Sequence, residues 1–178
     1  MRRFGDGYDG DLKGTCEELK KMLSQVEADR LISMDKTLSD GSGFVLPSPG
    51  QFLELKATSL DNREQFIFSV QRGRLRLEKY SQQERYAEIV ALVRLCVKYK
   101  EHTNPPQFLP TDSSLNQYIG KNIGDTHLHI YFEEVGDRFA IPVPTEDFHD
   151  LSNLTVTTVD FLKYCHVINI GTVQSGLI

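Results

Sequence analysis

Between residues 52 and 144 the sequence contains six short runs rich in apolar residues. Within each run, apolar side chains either alternate with polar ones or follow one another for a few positions. A period of two places successive side chains on opposite faces of a β-strand, and Gly, Pro and Asn between such runs mark turns. The runs are FLELKA, EQFIFSV, RLRLEKY, YAEIVALVRLCVKY, THLHIYFEEV and RFAIPVP. They predict about six strands, and one buried and one wet face per strand favours an antiparallel sheet.

Two pairs of these runs are predicted to form hairpins. EQFIFSV and RLRLEKY flank Gln71-Arg72-Gly73, and THLHIYFEEV and RFAIPVP flank Gly136-Asp137. Glycine supplies the positive φ angle that tight turns between antiparallel strands require. The long run between the two hairpins is predicted to be a strand, because its apolar residues share one parity, and a helix is the alternative.

Helical signals lie at the two ends of the chain. Thr15–Glu18 and Ser24–Glu27 each place a hydroxyl three residues before a Glu, as in a capping box. They predict helices at about 16–23 and 25–36, the second with Val26 directed inward. The stretch TLSDGSGFVLPSPGQ that follows is rich in Gly, Ser and Pro and is predicted to be a loop. DLSNLTVTTVDFLKYC has apolar residues at helical spacing and predicts a closing helix.

These elements predict an α+β fold. Its centre is a curved, partly barrel-like antiparallel sheet of about six strands, with two N-terminal helices and one C-terminal helix against it. The predicted division of the chain is an N-terminal helical region and loop over residues 1–50, and a sheet domain with its closing helix over residues 51–178. A chain of 178 residues suits one compact domain overall.

Composition restricts the classes of function. No apolar run is long enough to span a membrane, and no apolar h-region follows MRRFGDGYDG. Three cysteines without a Cys-x-x-Cys pair suit a reducing compartment, so we expect a cytoplasmic protein. The net charge is −5, yet residues 72–100 carry eight Lys/Arg against three Asp/Glu. Such a basic segment attracts phosphates locally, unless it is only a solvated strand face.

Two of the five histidines stand one residue apart in THLHIYFEE. Strand alternation places His127, His129 and Tyr131 on one face, opposite Leu128 and Ile130. We therefore predict that the first three side chains are accessible and that the other two are buried.

Further polar residues are predicted to join this face. If YAEIVALVRLCVKY is the antiparallel neighbour of THLHIYFEE, Arg94 and Lys98 share the polar surface. His102, just after the end of YAEIVALVRLCVKY, then lies beside His127. The prolines that follow give a stiff, extended segment, which holds Asn104 in place.

One hypothesis for this constellation is cleavage of a phosphodiester without a metal or other cofactor. One imidazole removes the 2′-hydroxyl proton and another protonates the leaving oxygen, as their near-neutral pKa values allow. His102 with His127 or His129 are the acid and base, and Tyr131 orients the phosphate or stacks on a base. Arg94 and Lys98 are the cations that stabilise charge on the phosphoryl oxygens, and Asn104 is a further substrate-binding residue.

Two alternatives remain open. His127-x-His129-x-x-x-Glu133 resembles the first metal-binding motif of the cupin family, which implies a divalent transition metal on His127, His129 and Glu133. The second motif of that family is matched only in part, since Pro144 stands where it has glycine. The other alternative is that the histidines are surface residues without a role. Cys96 lies on the polar face and is either a nucleophile with a histidine base or an inert buried residue.

The ordered set QERY, LVRLC, HTNPP, THLHIYFEE, GDRFAIPVP and DFLKYC resembles a small bacterial and prophage-associated domain family that has no assigned function. The resemblance covers about residues 60–166, and its specific part is His-x-Asn-Pro followed by His-x-His-x-Tyr. It implies matched positions at Gln83, Arg85, Arg94, His102, Asn104, Pro105, His127, His129 and Tyr131, and adds Arg85 to the substrate-binding set. Cys96 departs from the family, which has an acidic residue there.

The mobile-element association of that family favours nucleases, toxins and counter-defence proteins. The leading expectation is therefore an enzyme that acts on RNA or another phosphate-bearing substrate. The competing expectation is a non-enzymatic module that uses the same face to bind nucleic acid or a protein partner.

Overall fold

A seven-stranded antiparallel sheet is the central element of the computed structural model, which describes residues 23–176. Over these residues the chain forms, in order, α1 (Gln25–Ser33), β1 (Lys36–Leu38), β2 (Gly43–Val45), β3 (Phe52–Ser59), β4 (Gln65–Arg72), β5 (Tyr80–Tyr86), β6 (Val90–Val97), β7 (His102–Thr103), a 3₁₀ helix (Ser113–Tyr118), β8 (Asn122–Gly124), β9 (His127–Phe132), β10 (Gly136–Ile141), α2 (Leu154–Tyr164) and β11 (Thr172–Gln174).

The strand order in the sheet is β1-β3-β4-β5-β6-β9-β10. Every neighbouring pair is antiparallel, which confirms the predicted α+β class and the antiparallel sheet. The expectation of a partly barrel-like sheet is wrong, because β1 and β10 are separate edges and do not pair. The sheet is open.

The main core combines the sheet with both α-helices. Phe66 and Leu95 of the sheet share it with Leu31 of α1 and Phe161 of α2. A second, smaller apolar cluster contains the aromatic residues Phe108, Phe132 and Phe139. Burial of apolar side chains from both helices and the sheet is the main stabilising contribution to such a fold.

Helix α1 begins after Ser24, whose hydroxyl accepts a hydrogen bond from the backbone amide of Glu27, as the capping pattern predicts. The helix buries Ala28 and Leu31. Val26, which was predicted to point inward, is 81% exposed. Ala28 and Leu31 form the buried face, and Val26 lies about 200° around the helix from Ala28, on the solvent side.

The Gly/Ser/Pro-rich stretch at residues 37–51 is not a simple loop. It contributes to β1, which pairs with β3 in the main sheet, and it contains β2, which pairs in parallel with β11. Residues on both sides of position 50 therefore contribute to one sheet. The helix predicted at 16–23 lies outside the described residues, apart from Leu23.

The predicted strand RLRLEKY is wrong. Leu75 is 91% exposed, and the partner of β4 is β5, which begins at Tyr80. The core-facing positions of β5 include the polar residues Gln82 and Glu84, both fully buried. Because polar side chains occupy those positions, the sequence of β5 lacks the apolar alternation that identifies a half-buried strand.

Glu84 is buried beside a lysine from β1. The ammonium nitrogen Nζ of Lys36 lies 3.1 Å from Oε1 of Glu84, and neither side chain is exposed. Nζ also donates to the carbonyl oxygens of Ile32, Met34 and Cys165, each at 3.0 Å. The three carbonyls and the carboxylate together replace the water that a charged ammonium would otherwise bind.

The pH dependence of stability should report this pair. Burial raises the pKa of Glu84 to about 7, although the nearby Lys36 lowers it. The folded state therefore retains a proton that the unfolded chain releases near pH ~4.3, and the stability that this proton contributes is lost as the pH rises through about 7. When the pH is raised from about 5 to about 8, we expect the urea concentration at the unfolding midpoint to fall more for the wild type than for Glu84→Gln. Parallel pH profiles for the two proteins would contradict this assignment.

The closing helix is confirmed as α2. The side chain of Asn153 accepts hydrogen bonds from the amides of Thr155 and Val156 and so caps the helix. Phe161 and Cys165 are buried in the main core, as predicted. Over the described residues, no helix has the length and apolarity that crossing a membrane requires.

Candidate functional site

The pairing of β6 with β9 determines which polar side chains meet. Its register places Arg94 opposite His129 and Cys96 opposite His127. Residues directly opposite each other in an antiparallel pair project from the same face. One face of this strand pair therefore carries a guanidinium group, a thiol and two imidazoles.

A long connection leads from β6 to β9, and its residues 99–126 are called the covering segment here. It folds back on itself, because β7 pairs with β8 and places His102 opposite Gly124. The ring of His102 lies 4.6 Å from the ring of His129 and 5.3 Å from that of His127, centroid to centroid. The rings of His127 and His129 are 4.7 Å apart. The structure thus brings the three predicted histidines into one cluster.

Asn104 attaches the covering segment to β10. Its Oδ1 accepts from the backbone amide of Ala140 at 2.7 Å, and its Nδ2 donates to the carbonyl of Ala140 at 2.7 Å and to that of Tyr118 at 3.0 Å. Asn104 is itself buried. Its role in this structure is to hold the segment in place, whereas the sequence predicts contact with substrate.

The covering segment buries the histidines. His127 and His129 are only 2% and 3% exposed, so the prediction that they are accessible is wrong. The strand parity behind that prediction is correct for these two residues, since they share a face with Cys96 and Arg94. Accessibility depends in addition on where the covering segment packs, which strand alternation does not report.

Tyr131 does not belong to the histidine cluster. It is 2% exposed, lies in the main core, and donates its hydroxyl hydrogen to the carbonyl of Leu23 at 3.1 Å. Its predicted accessibility is also wrong, because the chain just before α1 packs over it. Of the two residues predicted to be buried, Leu128 is buried and Ile130 is half-buried.

The predicted substrate-binding cations are spread over the sheet. Arg94 adjoins the cluster and pairs with Asp137 at 3.2 Å, each side chain about one-third exposed. Lys98 is exposed and lies 3.8 Å from Asp125. Arg85 pairs with Glu54. Because each of them already has an acidic partner, they do not form one continuous basic surface.

Backbone carbonyls orient the imidazoles. Nδ1 of His127 lies 2.9 Å from the carbonyl oxygen of Gly124, and Nε2 of His102 lies 2.9 Å from that of Arg138. A carbonyl only accepts, so each of these nitrogens carries a hydrogen, and in the corresponding neutral tautomer the other ring nitrogen carries the lone pair. Nδ1 of His129 is buried and has no hydrogen-bond partner within residues 23–176.

The electrostatics of the cluster disfavour positive charge on the rings. Burial, the Arg94 guanidinium and the other two histidines together lower the pKa of His129 to about 2, although a hydrogen bond from the ring to the backbone of Asp137 raises it. Burial likewise lowers the pKa of His127. These imidazoles are therefore neutral near pH 7, in the form that donates a lone pair.

Burial also raises the pKa of the Cys96 thiol, which Arg94 opposes. A thiol with a raised pKa is mostly protonated at neutral pH and is a weak nucleophile. This environment disfavours the hypothesis that Cys96 attacks a substrate with a histidine as its base.

Sulfur and nitrogen donors come together in this cluster. One donor atom from each of Cys96, His127 and His129 lies within 4.8 Å of the others, and all three residues are buried. Glu133 of the cupin-like set is engaged elsewhere: its Oε2 accepts from the amide of Gln25 at 3.0 Å at the start of α1. In the structure the third potential metal donor beside His127 and His129 is therefore Cys96, whereas the sequence motif predicts Glu133. The polar parity of Cys96 is visible in the sequence, but its position opposite His127 depends on the strand register.

A family model described as a family of unknown function, DUF6978, matches residues 23–167. The chain belongs to the DUF6978 family. Membership in a domain family without an assigned function is thus confirmed, and the DUF6978 match extends further toward the N-terminus than the resemblance at residues 60–166 and includes α1. No curated protein and no solved structure matches the chain significantly.

Proposed function

We propose that this chain is a metal-binding protein, with a divalent transition ion of the Zn²⁺ type held by Cys96, His127 and His129. The observation that carries the proposal is the buried group of one thiol and two imidazoles, whose donor atoms lie within 4.8 Å of one another. Thiolate and imidazole are the ligands of Zn²⁺ and related ions, whereas Mg²⁺ and Ca²⁺ prefer oxygen.

The unpaired nitrogen of His129 supports the same proposal. A buried polar atom without a hydrogen bond costs free energy, and a metal ion would use the lone pair of Nδ1. His127 supplies a second supporting feature, because metal-bound histidines characteristically donate the other ring hydrogen to a carbonyl or carboxylate. The carbonyl of Gly124 occupies that position for His127.

Metal binding requires modest closure of the cluster. Tetrahedral Zn²⁺ with bonds of about 2.0–2.3 Å has its donors about 3.4–3.8 Å apart. Donor atoms that lie within 4.8 Å of one another would therefore approach by at most about 1 Å. The Cys96 thiol would lose its proton, because the thiolate is the ligand. Binding would therefore release one proton per ion.

Metal-independent RNA cleavage by His102 with His127 or His129, predicted from the sequence, is the competing proposal. It requires a phosphate to reach imidazoles that the covering segment buries, and one protonated imidazole among groups whose pKa values burial lowers. The same burial leaves the metal proposal unaffected, because an ion is far smaller than an oligonucleotide.

Elemental analysis tests the metal proposal. Protein prepared without a metal-affinity tag and dialysed after exposure to Zn²⁺ should retain about one ion per chain. The Co²⁺ form should show thiolate-to-metal charge-transfer absorption, which Cys96→Ser should abolish and which His149→Ala, a substitution of an exposed histidine, should leave unchanged. Wild-type protein that retains no ion, or a Cys96→Ser variant with unchanged Zn²⁺ affinity, would refute the proposal.

The competitor is tested by incubating mixed-sequence RNA with the wild type in the presence of a chelator. We expect no cleavage, because no described imidazole pair is both accessible and able to share one proton. Chelator-resistant cleavage by the wild type, lost in His127→Ala and retained in His149→Ala, would establish the nuclease proposal instead.

A further inference from the structure

We infer that His102 is the fourth ligand of this centre, so that the bound ion fastens the covering segment to the sheet; this inference rests on the proposed function. His102 is the only described histidine outside β9 whose ring contacts both His127 and His129. Cys96 and the two β9 histidines leave one tetrahedral position. His102 contacts both imidazoles but lies outside the group of donors within 4.8 Å, so its ring would move toward the ion to fill that position.

The hydrogen bonds of His102 match those of a ligand. Its Nε2 lies 2.9 Å from the Arg138 carbonyl and 3.1 Å from Oδ1 of Asn104. Both oxygens are acceptors in this arrangement, because the amide nitrogen of Asn104 donates elsewhere. Nε2 therefore carries a hydrogen, and in the corresponding neutral tautomer Nδ1 carries the lone pair. This is the orientation that outer hydrogen bonds impose on metal-bound imidazoles.

The burial of the cluster indicates a closed site. Catalytic Zn²⁺ sites keep one position open for water and substrate, whereas structural sites fill all four with protein ligands. His127 and His129 are almost inaccessible, and the covering segment occupies the side from which a substrate would approach. A Cys–His₃ site closed by His102 therefore has a structural role.

The consequence of this ligand set is a metal-dependent attachment. His102 lies on β7, a strand of two residues whose pairing with β8 is short and irregular. The other three ligands lie on β6 and β9, two neighbouring strands inside the main sheet. An ion shared by these elements would tie the covering segment to the pairing of β6 with β9, and its removal would free the segment first.

Amide hydrogen exchange of the full chain tests this inference. Zn²⁺ should slow exchange across residues 99–126 in the wild type and in Lys100→Ala, a control at an exposed position of the same segment. His102→Ala should still bind one ion, with an affinity reduced by more than the roughly 10–100-fold that loss of an outer hydrogen bond costs. In that variant Zn²⁺ should no longer slow exchange in the covering segment.

X-ray absorption of the wild-type Zn²⁺ form adds a measurement that needs no variant, and should show one sulfur and three imidazoles. One sulfur, two imidazoles and an oxygen, or a His102→Ala variant with wild-type affinity and protection, would overturn the role of His102 while leaving the metal centre intact. A wild-type chain that binds no Zn²⁺ would instead refute the proposed function, and with it this inference.

Discussion

Replacement of Glu84 by Leu should lower the free energy of unfolding by about 3–5 kcal/mol at pH ~8. The substitution removes the carboxylate that lies 3.1 Å from Nζ of Lys36, in a site with no exposure to water. Lys36 would lose its counterion and keep the carbonyls of Ile32, Met34 and Cys165 as partners. Chemical denaturation in urea measures the loss, which exceeds the effect of most single substitutions.

The double variant Lys36→Met with Glu84→Leu distinguishes the cost of an unpaired charge from the value of the pair. Replacing both members of a buried ion pair by apolar residues of similar volume is often neutral or stabilising. We therefore expect the double variant to be much more stable than Glu84→Leu alone. Glu78→Ala, which removes an exposed ion pair with Arg76, is the matched control and should cost at most about 1 kcal/mol. A double variant no more stable than the single one would show that the pair itself stabilises the core.

The Lys36–Glu84 pair also explains the largest error in the strand prediction. Strands β3, β4, β6 and β9 carry apolar alternation and were identified, whereas β5 presents Gln82 and Glu84 to the core. A buried glutamate is intelligible only with its partner, and Lys36 is 48 positions away in the sequence. Local patterns contain no information about such a pairing. RLRLEKY, with the exposed Leu75, therefore shows clearer strand-like alternation of apolar and polar residues than β5 does.

The sequence predicted the residues of the candidate site and the face they share, but not their burial. Parity correctly placed Cys96 and Arg94 on the same face as His127 and His129. The antiparallel order of the strands was enough to bring His102 near His127. Burial of the cluster was not predictable, because it depends on the packing of the covering segment. The choice of Cys96 over Glu133 as a donor depends on the register of β6 against β9.

That dependence on the covering segment makes Asn104 the most informative single residue near the site. Its side chain makes four contacts: with the amide and carbonyl of Ala140, the carbonyl of Tyr118 and the ring of His102. The amide of Ala140 belongs to β10, whereas Tyr118 ends the 3₁₀ helix of the covering segment. One buried amide group thus joins the segment both to itself and to the sheet edge.

Asn104→Leu should lower the free energy of unfolding by roughly 2–4 kcal/mol, because it leaves a buried amide and buried carbonyls without partners. Chelator should be present in the urea titration, so that the result is independent of any bound metal. Asn116→Leu makes the same chemical change at an exposed position of the segment and should alter stability by at most about 0.5 kcal/mol.

Hydrogen exchange locates the effect of Asn104→Leu. The amide of Ala140, which donates to Oδ1 of Asn104, should lose protection in this variant, while amides in the pairing of β3 with β4 should keep theirs. If Asn104→Leu were as stable as Asn116→Leu and Ala140 stayed protected, the covering segment would be held by its apolar contacts at Phe108 instead. Because His102 approaches His127 and His129 only when the segment is in place, Asn104→Leu should also weaken Zn²⁺ binding without removing a metal ligand.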